Sequence, residues 1–173
     1  PDGLRVALIV YGDTTDACND VRVVRGLSAL DVNGKSWLEG EIQRLEAKGK
    51  TPIALSLRRA GQELAKFDSV SNLVLISDGK ETCNGNPAAE AARLATRFNL
   101  RYGVTVFGFE VTGAERSALE EIAAAGNGKY YHAGSAQELV RQTASAQEEI
   151  EVEPVQVTTR GRRSPRSRSV LSS

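Results

Sequence analysis

Residues 71–87, SNLVLISDGKETCNGNP, hold an apolar run that stops at Ser-Asp-Gly and gives way to a polar loop with a cysteine. Leu73, Val74, Leu75 and Ile76 leave no polar face. Residues 72–77 are therefore predicted to form a strand buried on both sides, as in a parallel sheet covered by helices. In such a sheet the carboxyl ends of the strands form the ligand face, which puts Asp78 where chemistry usually sits. Gly79 lets the backbone turn tightly beside it. On this stretch alone two readings stand side by side: a ligand-facing carboxylate, or an Asp-Gly pair that only turns the chain at a strand end.

The rest of the chain supplies neighbours for that strand. Residues 4–11 (LRVALIVY) and 20–24 read as two antiparallel strands joined by the polar loop GDTTDACN. Trp37, Leu38, Ile42 and Leu45 recur at helical spacing over residues 37–47, with Gly49 as a stop. Thr51 suits the N-cap of the next helix and Pro52 its first turn, with Ile53, Leu57, Ala60 and Leu64 as its buried stripe. Helices are predicted over residues 87–99, 115–125 and 136–147, and strands over 104–111 and 129–132. From Gly49 onward helix and strand alternate, which argues an α/β fold with a doubly wound, Rossmann-like, mostly parallel sheet and an antiparallel edge strand.

A chain of 173 residues, 40% apolar, is enough for one domain with a core. Its formal net charge is zero but unevenly spread. Residues 151–173 carry five Arg against two Glu, and residues 1–150 carry seventeen Lys and Arg against twenty Asp and Glu. The expected organisation is a domain over residues 1–149 and an Arg/Ser-rich disordered tail over 150–173. Without aromatics or a folded scaffold the tail is read as a solvated linker, so nucleic acid is not an expected partner. The chain starts at Pro1 and has no methionine, so an upstream segment is expected. No apolar run of about 18 residues is present, which leaves membrane contact undetermined. Asp13, Asp16 and Asp20 are expected to be a solvated acidic turn. His132, the only histidine, is given a structural or surface role, and Trp37 a core or half-buried one.

Thr51 at a helix start and Asp78 at a strand end fall on the same end of the sheet. A hydroxyl and a carboxylate converging there look like ligands of a hard cation rather than a proton-transfer pair. At this point the chain resembles a von Willebrand factor type A (vWA) domain of the bacterial kind. The resemblance rests on RVALIVYG, GKTPIALSL and above all LVLISDGKETCNGNP, followed by VTVFGFEV and GNGKYYHA, over about residues 4–146.

The resemblance implies a Mg²⁺ site, open also to Mn²⁺ or Ca²⁺, that is built from three loops and binds a protein partner through an acidic side chain. Thr51 matches the second loop's ligand and Asp78 the third's. The first loop's Asp-x-Ser-x-Ser occurs nowhere in the chain. By the family pattern it belongs to a first, central strand and helix of roughly 30 residues preceding Pro1. The expected function is thus a non-enzymatic protein-binding module whose metal-ion-dependent adhesion site is incomplete here, so that this chain alone is not expected to hold the cation. The competing readings are a Mg²⁺-dependent phosphotransfer or hydrolase domain using Asp78, against which stands the lack of a second acid, a Lys or a phosphate-cradling Gly-rich loop at the strand ends, and a purely structural piece. The family topology brings the loops of Cys18 and Cys83 to one face, which makes them either a disulfide or two separate thiols. A disulfide would point to a periplasmic or extracellular location.

Overall fold

A computed structural model describes residues 5–152, with side chains described for residues 5–146. Of the Arg/Ser-rich segment expected over 150–173, residues 150–152 belong to the last helix and the rest lies outside the described residues. Ten elements follow in order: β1 (Arg5–Tyr11), β2 (Val21–Ala29), α1 (Val32–Ile42), α2 (Ile53–Leu64), β3 (Ser71–Ser77), α3 (Pro87–Arg97), β4 (Leu100–Phe109), α4 (Gly113–Ala125), β5 (Tyr130–Ala133) and α5 (Ala136–Val152). The fold is α/β, as the alternation predicted, but the strands form two separate sets. β1 and β2 make an antiparallel hairpin, and β3-β4-β5 make a parallel sheet.

No ladder joins the two sets among the described residues. What crosses between β1 and β3 is a side chain: Tyr11 Oη donates to the Ile76 carbonyl at 3.1 Å. A tyrosine side chain plus one hydrogen bond reaches at most about two inter-strand spacings, roughly 10 Å, which bounds the separation of β1 and β3 at this point. Burial raises the Tyr11 phenol to about 12, so it stays a donor at neutral pH.

The core lies under one face of the parallel sheet. Ile53 and Leu57 of α2, Leu94 of α3, Leu119 and Ile122 of α4 meet Leu75 of β3 and Val104 and Val106 of β4. α3 packs between α2 and α4, and α5 packs against β4 and β5. β4 is covered on both faces, with Phe107 fully buried and stacked on Tyr131 at 5.0 Å.

The expectation that residues 72–77 are buried on both faces is corrected for β3. Leu73, Leu75 and Ser77 turn inward, but Val74 and Ile76 are 50% and 49% exposed. They share a face with Thr105 and Phe107, their register partners on β4. α5 reaches β4 and β5, and nothing among the described residues covers that face at β3.

The helix expected over residues 37–47 starts earlier, at Val32, where the Asp31 carboxylate caps it by accepting the Gly34 N–H at 2.7 Å. Its expected stripe is not buried: Trp37 is 42% exposed, with the Arg25 guanidinium 5.4 Å from its ring. The acidic turn also differs from expectation, because Asp13 and Asp20 are buried and partnered. Asp13 takes both ends of the Arg22 guanidinium, with Nε at 3.0 Å from Oδ2. Asp20 accepts the Thr14 and Thr15 N–H groups at 2.9 and 2.8 Å and the Thr14 hydroxyl. His132 is half-buried on β5 with Nδ1 unpartnered.

Candidate functional site

Three chain segments converge at the carboxyl end of β3. The first is the approach to α2. Lys48 and Gly49 both donate N–H to the Gly12 carbonyl, at 2.9 and 3.0 Å, which pins residues 48–49 under the β1–β2 loop. Gly12 has φ +64°, and a Cβ there would lie 2.4 Å from the Lys50 carbonyl oxygen, so only glycine fits. α2 then begins at Pro52, its N-cap residue, rather than at Thr51, and no side chain of the cap itself bonds the helix amides. The expected capping role of Thr51 is therefore corrected, because Pro52 stands between it and the first turn.

The second segment is the loop after β3, and it performs that capping from outside. Glu81 Oε2 accepts the Ala54 N–H of α2 at 2.7 Å, while its Oε1 accepts the Cys83 N–H at 2.8 Å. A carboxylate at a helix N-terminus satisfies an unpaired amide and complements the positive end of the helix dipole. Thr82 adds a reciprocal pair: Thr51 N–H donates to Thr82 Oγ1 at 2.7 Å, and Thr82 N–H donates to the Thr51 carbonyl at 3.2 Å. Buried Ser77 holds the turn that carries Asp78 by donating to the Gly79 carbonyl at 2.9 Å. Cys83 is joined to Cys18 of the β1–β2 loop, with the Cα atoms 5.4 Å apart.

The third segment is the β4–α4 turn. Glu110 sits there at φ +53°, its N–H fixed to the Ala133 carbonyl at 2.8 Å. Together the segments line an open cleft of about 290 Å³, walled by Thr51, Asp78, Gly79, Lys80, Thr82, Glu110, Val111, Thr112 and Glu115. Thr51 is half-buried and Asp78 exposed.

Thr51 and Asp78, paired by the sequence pattern, thus line one cleft. Glu110, Glu115 and Lys80 were not anticipated in it. Lys80 was within reach of the sequence reading, being two residues past Asp78. Glu110 arrives from the β4–α4 turn and Glu115 from the first turn of α4, and only the strand–helix alternation around residues 104–125 signalled that this turn would open on the same end. Their presence corrects the expectation of no second acid and no lysine at the strand ends.

Thr51 and Asp78 alone would fill a minor part of the near-ideal octahedron that Mg²⁺ requires. Among the described residues no group of three or more His, Cys, Asp or Glu is placed to hold a metal ion. The residues present therefore do not by themselves fit a Mg²⁺ site. No helix among the described residues is long and apolar enough to cross a membrane.

Residues 1–146 match the von Willebrand factor type A domain family. The uncharacterized proteins YwmD and YwmC of Bacillus subtilis (strain 168) are similar in sequence. YwmD is 34% identical over 125 residues, covering 70% of this chain and 54% of its own length. YwmC is 31% identical over 143 residues, covering 77% and 60%. The chain thus spans little more than half of these relatives. Among solved structures, the von Willebrand factor type A protein from Catenulispora acidiphila superposes with a TM-score of 0.67 at 21% identity, over 84% of this chain and 33% of that one. That likeness concerns the fold.

Proposed function

The chain belongs to the von Willebrand factor type A family, and on that premise we propose that it is a non-enzymatic protein-binding module that docks its partner on the cleft at the end of β3. The observation that carries this reading is that Thr51 and Asp78, which match two of the family's three ligand loops, line one solvent-open cleft. A hydroxyl just before α2 and a carboxylate just after β3 suit recognition of a partner's acidic side chain through a divalent cation, Mg²⁺ with Mn²⁺ or Ca²⁺ as substitutes. The remaining oxygens come from outside the described residues: an Asp-x-Ser-x-Ser loop, and the partner's carboxylate. The Cys18–Cys83 pair supports a periplasmic or extracellular setting, where disulfides persist.

A peptide panel tests the reading on the chain fused behind a family strand-helix unit carrying Asp-x-Ser-x-Ser. Peptides with a central Asp or Glu should be retained with Mn²⁺ and released by chelator, and Asp78→Ala or Thr51→Ala should abolish retention. Retention that ignores chelator and both substitutions would contradict it. Lys80, Glu110 and Glu115 beside Asp78 are the observation that favours a hydrolase or phosphotransfer reading instead. Turnover of an aryl phosphate that is lost in both Asp78→Ala and Lys80→Ala would establish that alternative.

A further inference from the structure

The Cys18–Cys83 disulfide closes a ring of contacts around the start of α2. Gly12, in the β1–β2 loop, accepts the Lys48 and Gly49 N–H groups at 2.9 and 3.0 Å. A short step along the chain, Thr51 N–H donates to Thr82 Oγ1 at 2.7 Å. Cys83 follows Thr82 directly, and its bond to Cys18 returns to the β1–β2 loop. Three segments hold one another in this circuit, and the disulfide is its covalent member. It also joins the β1–β2 hairpin to the parallel sheet, which no strand ladder does among the described residues. Cys18 is exposed and Cys83 half-buried, so the Cys18 sulfur is the one an incoming thiolate reaches.

We propose that this disulfide is a thiol-exchange site at Cys18 and acts as a redox-sensitive clamp on the cleft wall formed by Thr51 and Thr82. The reductant is a dithiol. Its thiolate forms a bond to Cys18 Sγ while the Cys18–Cys83 bond breaks, and Cys83 leaves as a thiolate that takes up a proton. The second thiol of the reductant then displaces Cys18 from the mixed disulfide, so that the protein gains two electrons and two protons and the reductant ends as a disulfide. Opening the ring frees the β1–β2 loop from the loop after β3. The two Glu81 bonds remain, at Ala54 and Cys83, so the loop after β3 loosens while the domain stays folded. This clamp does not depend on the cation reading, because every contact in the ring is made by the chain itself.

Amide hydrogen exchange on the full chain tests it, oxidised, reduced with dithiothreitol, and as the double variant C18S/C83S. Reduction should speed exchange at Gly49 and Thr82 by about tenfold or more through local opening, while the Cys83 amide, still bonded to Glu81, should change less, and the double variant C18S/C83S should reproduce the acceleration at Gly49 and Thr82. A disulfide that acted only by restricting the unfolded chain would leave those amides unchanged and alter only core amides such as Val106, which would overturn the clamp. Loss of protection throughout the reduced chain would overturn it equally. Brief treatment with reduced glutathione followed by alkylation and peptide mapping should find the mixed disulfide on Cys18. An adduct confined to Cys83 would overturn the assignment of the attacked sulfur.

Discussion

Glu81 holds two backbone amides from different segments, Ala54 at the head of α2 and Cys83 in its own loop. Hydrogen bonds to a charged group contribute about 1.5–3 kcal/mol each when their loss leaves a donor unpaired, less where solvent can replace them. Glu81→Ala should therefore lower stability to urea by about 1–3 kcal/mol, while Glu81→Gln, which keeps an acceptor, should lose less. Equal losses for the two substitutions would show that the capping geometry is not what matters. Asp20 gives a pH dependence. The Thr14 hydroxyl first, then the Thr15 and Thr14 amides, hold its carboxyl below the ordinary value. A depressed carboxyl contributes its stability in full above the unfolded value of about 3.9 and loses it as pH falls through the lower folded value. The wild type should accordingly lose more melting temperature than Asp20→Asn between pH 5 and about 2, and parallel pH curves would contradict this. Neither role was legible in the sequence, because both depend on which amide a carboxylate faces across a loop.

At the level of elements, β3 was legible in position and only half legible in burial. An unbroken apolar run marks a strand, but it cannot say whether both faces are covered. The inward side meets α2, α3 and α4 through Leu75, while Val74 and Ile76 remain half exposed. Substitution should separate the two faces. Leu75→Ala should cost about 2–5 kcal/mol in urea unfolding, whereas Val74→Thr and Ile76→Thr, which retain β-propensity, should each change stability by about 0.5 kcal/mol or less. Comparable losses on both faces would mean that the outer face is packed in solution. α1 makes the same point from the helix side. Its apolar spacing predicted a buried stripe, yet only Gly34 is buried in it, because no other element among the described residues packs closely against it.

For the whole molecule, the alternation of strand and helix after Gly49 was enough to read the α/β class and to place Thr51 and Asp78 at one end. The antiparallel pairing of β1 and β2 was legible in their own residues, but their separation from the parallel sheet was not, since an apolar run does not say which strand lies beside it. Tyr11 spans that division, and Tyr11→Phe should cost about 0.5–1.5 kcal/mol, the worth of one hydrogen bond, with unchanged secondary structure by circular dichroism. A neutral substitution would show that the bridge to Ile76 adds nothing. The central proposal concerns the cleft, with Thr51 and Asp78 as two parts of a cation-dependent docking site that further oxygens would complete. Calorimetric titration of Mn²⁺ into the chain, and into the same chain fused behind an Asp-x-Ser-x-Ser strand-helix unit, tests it most directly. The account predicts binding weaker than about 1 mM by the chain alone, and binding at least tenfold tighter by the fusion that is lost in Asp78→Ala. Tight, Asp78-dependent binding by the chain alone, or equally weak binding by the fusion, would contradict it.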